Sequence, residues 1–530
     1  NRGGQSEVLS SGLVKMTGIN SVGIIGKKSK ITNSGTGTGV NPKGIEISGA
    51  GSAGILATDE SEVINSGRIE GNTGADLVGI SVDKNSTASN SGTITMKTTS
   101  NTGISSTGGA VTNTGSITLE KANSTGISSV NGNVTNSSGA TITAQEGSSV
   151  GIYAKIAGND NRTVSNAGTI SLTNATPAPS TLPEKSAAIY SLIGSGTGKL
   201  ITTNSGTINV DQTKSVGIYA ENNGGARDNS DVTNSGFINV NKESSAGILA
   251  EKAKVTNTGT GTTGGIILTA IKTAGIIGNT GSLVSNAGVI KTQGVTPATD
   301  TDGLVGIALN ASTGINETAG KITLGTEYST GMYGAASSTV TNKGKIEGTK
   351  EQVVGMAGDN STVTNEKTIK LDGKNSTGLF GQNSSNITNE TPGTITLGEE
   401  SSVGIYSAAT NISALNKGAI TALKKSSAGM LGKKGNIENT GTITTSAEES
   451  AVMYTENANA TNKNILNANG KKSAGMYVKL DKATGGTIIG KNEGTDSVIT
   501  MTNEGSAGML GEVKSSVTNN SSTLTLTNQN

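Results

Sequence analysis

Along most of the chain apolar residues recur at alternate positions, in short runs set between Gly, Asn, Ser and Thr. A period of two belongs to strands, and nothing recurs at the 3.6 residues of a helix. In Val216 to Ala220, strict alternation predicts Val216, Ile218 and Ala220 facing one way, with Gly217 and Tyr219 facing the other. Ile238 and Val240 continue the inward set.

The pattern itself repeats. A motif S-x-G-[IML] runs from Gly23 to Gly508, and with degenerate copies at Ala188 and Val452 there are nineteen, separated by 23 to 37 residues. The shortest steps are the commonest, so the unit is about 24 residues with insertions. Between copies lies T-N-x-G-x-I, as in Thr233-Asn234-Ser235-Gly236-Phe237-Ile238 and Thr341-Asn342-Lys343-Gly344-Lys345-Ile346. Two or three short strands cannot bury a face alone, whereas stacked copies can. The predicted fold is therefore all-β, a right-handed parallel β-helix of about nineteen coils over residues 1–530. At a strand spacing of about 4.8 Å it would be a rod of roughly 90 Å. Asn65, Asn90, Asn113, Asn136, Asn166, Asn204 and Asn234 fall at one turn, where a stacked amide ladder can bond from coil to coil.

Composition fits a narrow interior. Gly contributes 78 of 530 residues, hydrophobic residues 32% and aromatics 2%, so the core must be built on small aliphatics. The chain has no His, Cys or Trp, which excludes Ser-His-Asp and Cys-His catalysis, structural zinc and haem. Lys+Arg of 40 against Asp+Glu of 39 leaves +1, with no whole-chain footprint for nucleic acid or an anionic membrane. There is no apolar run long enough to span a bilayer as a helix, no calcium-binding G-G-x-G-x-D repeat, no EF-hand and no P-loop. No cofactor is expected. The chain opens at Asn1 without Met, and its last residues still follow the repeat, so it reads as a segment of a longer protein.

The paired motifs, such as Gly151-Ile-Tyr-Ala and Asn204-Ser-Gly-Thr-Ile, resemble the passenger repeats of the very large fusobacterial type V autotransporter adhesins, the RadD-like and galactose-sensitive Fap-type proteins. The resemblance implies a surface-exposed stalk exported through a C-terminal outer-membrane β-barrel that lies outside this segment. It also implies a host-cell glycan or protein receptor, or a partner bacterial surface, as ligand. No binding residue carries over by motif, because the matching positions are core and turn positions.

A recognition site must therefore come from departures from the repeat. Seven of the eight Tyr lie two residues after the anchor Gly, and Tyr153, Tyr190 and Tyr219 occupy consecutive coils. They would form an aromatic ladder, either a platform for a sugar or protein or a stabilising stack. Insertions are expected near 155–163, 173–187, 221–231, 291–303 and 478–497, the second of them carrying Pro177, Pro179 and Pro183. Asp160 and Arg162 in the first, with Arg227 and Asp228 in the third, would project beside the ladder about 10 Å apart. These four residues and the three tyrosines are the candidate ligand-binding set; the opposing reading is solvated loops over a purely structural stack. A polysaccharide-cleaving enzyme would need carboxylates converging in a groove, and none is evident, Asp211 and Glu243 included. Ice binding would need an unbroken Thr-x-Thr face, which does not recur in every coil. An adhesin segment and a spacer without its own ligand remain, and no catalysis is expected.

Overall fold

The computed structural model describes residues 6–527 except 40, 84, 175–185, 481–486 and 521. It divides into two compact units, Asn1–Ile276 and Ile277–Asn530, each a stack of the same kind of coil. One coil contributes three strands, for example Ser230–Asn234, Phe237–Val240 and Ala246–Glu251, to three sheets here called first, second and third. Equivalent strands on adjacent coils pair in parallel and in register, Val232 with Val255, Ile238 with Ile266 and Ile218 with Ile248. The described residues hold 20 strands of the first kind, 20 of the second and 19 of the third, with two single 3-10 turns. The chain is thus an all-β parallel solenoid of about twenty coils, as its sequence period requires.

Inside each coil the apolar positions close on one another. Ile218, Ala220, Val232, Ile238 and Val240 are all fully buried, and their equivalents form continuous aliphatic columns. At the turn from first to second sheet the buried Asn ladder is present. In the first unit each Asn from Asn33 to Asn234 donates from Nδ2 to Oδ1 of the next, at 2.6–2.8 Å, ending at Asn257. The second unit repeats this from Asn286 to Asn519 at 2.7–2.8 Å. All the amides point the same way along the stack, so each bond polarises the next. The motif serine has a comparable use. The N–H of Ser186 donates to Oγ of Ser215, and that of Ser215 to Oγ of Ser245, at 3.3 and 3.1 Å.

The strict alternation fails at the anchor glycine. Val216 is only partly buried and belongs to the outer face, while Gly217 and Ile218 are both buried in succession. A Cβ on Gly217 would lie 2.5 Å from the Gly247 carbonyl oxygen and 2.9 Å from Ile238 Cγ2. Gly126, Gly306 and Gly355 face their next-coil carbonyls at 2.5–2.6 Å in the same way. At these coils the residue is glycine because the bend into the third sheet brings the next coil's carbonyl too close for a side chain. Ala188 and Val452, which replace it, are fully buried.

The outer surface is laced by pairs between neighbouring coils, such as Lys321–Glu347, Lys417–Glu390 and Lys463–Glu438 at 2.7–2.9 Å. These solvated pairs contribute little each. Arg68 differs. Its side chain is 10% exposed and is held between Glu46 and Glu70.

Candidate functional site

The regular coil is most altered between Val150 and Glu251. Third-sheet strands elsewhere have five or six residues, but three consecutive ones are lengthened to Val150–Ala157, Ala187–Ser195 and Val216–Asn222. Residues 155–157 and 221–222, at the starts of two expected loops, thus belong to strands. The added residues pair with the neighbouring coil, which satisfies their backbone groups. Of the expected loop 173–187, residues 175–185 with all three prolines lie outside the described residues, as do 481–486 of the loop at 478–497. Within 291–303 the chain leaves the strand Val289–Thr292 and makes a 3-10 turn at Asp300–Asp302.

On the lengthened strands Tyr153 is in register with Tyr190, and Tyr190 with Tyr219. The Tyr153 and Tyr190 rings meet edge to face at 5.3 Å, and those of Tyr190 and Tyr219 stack at 4.7 Å and 12°. The expected ladder exists. Because Tyr190 and Tyr219 cover one another's faces, the second pair offers ring edges rather than a flat platform.

The polar partner of the ladder is Glu221, which the sequence reading did not single out. The Tyr190 hydroxyl donates to Glu221 Oε2, and Asn223 Nδ2 donates to Glu221 Oε1 at 2.7 Å. Burial, then the hydrogen bond and charge of Glu221, pushes the Tyr190 phenol well above its ordinary range. Tyr219 is pushed up to about 12, by burial first and then by the charge and hydrogen bond of Glu221. Burial alone would raise the Glu221 carboxyl, but the hydrogen bonds from Tyr190, Asn223 and Tyr219 outweigh it and leave it below the usual range. The signal was available. Glu221 follows Tyr219 by two on the same face, and so sits diagonally across from Tyr190 one coil away. Tyr477 and Glu512 repeat the arrangement, with Tyr477 also at about 12 through burial and then Glu512.

The two arginines turn to their own loops. Arg162 donates to Asp160 Oδ2 at 3.0 Å, to the Asn161 carbonyl at 2.9 Å and to the Asn131 carbonyl at 2.5 Å. Arg227 donates to Asp228 Oδ1 at 3.0 Å within the 3-10 turn Arg227–Asn229. Both pairs are partly exposed, and neither arginine is a partner of the tyrosine hydroxyls. Their corners are joined through an intervening one. Thr197 and Lys199 donate backbone N–H groups to the Asn159 and Asn161 side chains, and Asn229 donates to the Thr197 carbonyl. What the sequence suggested as two projecting loops is a stacked shelf on three coils.

Among the described residues no group of three or more His, Cys, Asp or Glu side chains could hold a metal ion. A shallow depression of about 290 Å³ lies in the second unit at Thr391, Gly393, Gly418, Thr442 and Asn464. Its one charged lining residue, Lys417, is bound to Glu390 at 2.8 Å.

Residues 125–263 match the family model described as the BigA third pectate lyase-like domain. The match covers 139 of 530 residues and contains the tyrosine ladder, Glu221 and both arginine pairs. It is similar in architecture to the β-helical passengers that the repeats resemble, and it gives no support to the fusobacterial group in particular. No curated protein and no solved structure matches the chain.

Proposed function

We propose that the chain is a β-helical passenger segment of a bacterial surface adhesin, and that its receptor-facing part is the third-sheet face between Val150 and Glu251. One observation carries this reading. The coils whose repeat is most altered, with lengthened strands, an aromatic ladder and two arginine pairs, are those inside the family match. Among the described residues the third-sheet strands elsewhere keep five or six residues, and pairs such as Lys321–Glu347, Lys417–Glu390 and Lys463–Glu438 join neighbouring coils, which is what a supporting rod needs. In this reading a C-terminal outer-membrane β-barrel anchors the parent protein, and the ligand is a host receptor or a partner bacterial surface. Ring edges, with the stacked faces covered, favour a protein ligand over a sugar, which stacks on open ring faces. The segment acts by binding, without catalysis or cofactor; incubated with pectate it should release no product.

The test is adherence of cells displaying the parent protein, with the isolated segment as competitor. The native segment should compete, and a variant with Tyr153, Tyr190, Tyr219, Arg162 and Arg227 all changed to Ala should not. The spacer reading is favoured by the saturation of the Tyr190 hydroxyl and of Glu221 by internal hydrogen bonds. Absence of competition by either protein would establish that reading and refute the first.

A further inference from the structure

The second unit carries a face whose charge changes sign from coil to coil. Its third-sheet strands Ala428–Lys433, Ala451–Glu456, Ala474–Lys479 and Ala507–Glu512 lie on consecutive coils. Three outward columns cross them in register. The first is Ala428, Ala451, Ala474 and Ala507, and the second is Leu431, Tyr454, Tyr477 and Leu510. The third is Lys433, Glu456, Lys479 and Glu512. Each of these side chains is at least partly exposed. At the corner entering the sheet a fourth column reads Lys425, Glu448, Lys471 and Glu504, all exposed. It is aligned by the backbone, since Ser426, Glu449 and Lys472 donate N–H groups to the carbonyls of Glu448, Lys471 and Glu504 at 3.0–3.2 Å. The two charged columns have the same sign on any one coil. The four coils are therefore basic, acidic, basic and acidic in turn, with a strip of alanine, leucine and tyrosine between the charged rims.

Stacking within the chain does not use these charges up. Among the described residues their ion pairs are Lys471–Glu504 at 3.5 Å and Lys425–Glu400 at 3.9 Å, both solvated, while Glu512 accepts from the Tyr477 hydroxyl. Lys433, Glu448, Glu456 and Lys479 are in no ion pair among the described residues. A second copy, turned end for end about a two-fold axis that crosses the face between the coils of Tyr454 and Tyr477, sets every band against one of opposite sign. Glu448 and Glu456 then meet the partner's Lys471 and the partner's Lys479, and Lys425 and Lys433 meet the partner's Glu504 and the partner's Glu512. The tyrosines face tyrosines and the leucines face leucines, and the alanine column lets the sheets approach closely. A slip of one coil, about 4.8 Å, sets like charge on like, so the pattern selects one register. An apolar centre within a charged rim is the anatomy of a protein interface, and a closed two-fold is its commonest symmetry. Four coils by the width of the sheet measure roughly 19 Å by 25 Å, so two copies would bury about 1,000 Å², the size of a weak, reversible association.

We infer that this face of the second unit docks a second copy of the chain, antiparallel, with each acidic coil of one copy against a basic coil of the other. The inference is independent of what the first unit binds. Its test is sedimentation velocity of the full chain. At low salt the native protein should form a reversible dimer, and salt of about 0.5 M should weaken it at least tenfold by screening the exposed bands. The double variant Glu448→Lys with Glu456→Lys sets basic coils against basic, and the double variant Lys471→Glu with Lys479→Glu sets acidic against acidic. Each alone should dimerise at least about tenfold more weakly than the native chain. Mixed in equal amounts the two variants should associate again, because the altered coil of one faces the altered coil of the other. A defect confined to the stacking of each chain is not repaired by mixing. Circular dichroism of both variants checks that the coils are intact. A native chain that remains monomeric at about 0.1 mM, a dimer that neither double variant weakens, or a mixture that stays monomeric overturns the inference. None of these outcomes alters the adherence competition, which tests the adhesin reading separately.

Discussion

Asn166 is an internal rung of the first unit's ladder. It is fully buried, accepts from Asn136 Nδ2 at 2.7 Å, and donates to Asn204 Oδ1 at 2.7 Å and the Gly168 carbonyl at 3.3 Å. Asn166→Ala takes the acceptor from Asn136 and the donor from Asn204, both themselves fully buried. Each buried polar group left without a partner costs about 1–3 kcal/mol, so the substitution should cost about 2–6 kcal/mol. Asn519 provides the control. It accepts from Asn492 at 2.7 Å but is exposed, so water replaces the lost partner and Asn519→Ala should cost under about 1 kcal/mol. A solenoid can open coil by coil, so the assay is amide hydrogen exchange of the strands flanking each site rather than a single melting midpoint. At about 1.4 kcal/mol per factor of ten, residues 162–172 of the Asn166→Ala protein should exchange at least about 25-fold faster. Exchange there altered by less than about threefold, or altered no more than around Asn519, would refute the claim that the ladder holds the coils together.

Glu221→Gln should lower the phenol ionisation of Tyr219 from about 12 partway toward 10, because burial, the larger cause, remains; ultraviolet titration of phenolate reads this directly. The sign follows from the raised value: the folded state keeps its proton longer than the unfolded one, so stability is complete below about pH 10 and falls as pH rises through 12. A flat stability profile over that window would contradict the assignment. Tyr190→Ala breaks two ring contacts at about 0.5–1.5 kcal/mol each beyond area burial, and so should cost about 1–3 kcal/mol more than Tyr333→Ala, whose column neighbours are Ala308 and Ala357. Urea unfolding of the pair measures the difference, and equal losses would remove the aromatic contribution. Gly217→Ala forces a Cβ toward the Gly247 carbonyl and should destabilise by about 1–3 kcal/mol; no loss in thermal unfolding would mean that the bend relaxes freely.

Coil columns were legible in the sequence because a stacked repeat prints the same demand many times over. The Ile after the anchor Gly, the Asn of T-N-x-G and the Ser of S-x-G each recur where a buried side chain meets its own copy. What a single period-two reading could not contain was the bend at Gly217, since alternation assumes a straight strand and the bend turns two successive residues inward. The ladder at Tyr153, Tyr190 and Tyr219 was legible for the same reason as the core: it too is a column. Glu221 was not, because its partner lies diagonally one coil away, and a reading that aligns columns compares each residue only with its direct equivalents. The arginines pair within their own turns, Arg162 with Asp160 and Arg227 with Asp228, one or two residues distant. Local pairing in a turn closes a smaller loop than pairing across the coil, so it costs less ordering entropy and wins wherever a short carboxylate is at hand. In a solenoid, then, interactions between direct equivalents are recoverable by stacking the repeats, while sites that depend on diagonal or within-turn pairs require the register itself. The face between Val150 and Glu251 is of the second kind, since the bond from Tyr190 to Glu221 runs diagonally from one coil to the next.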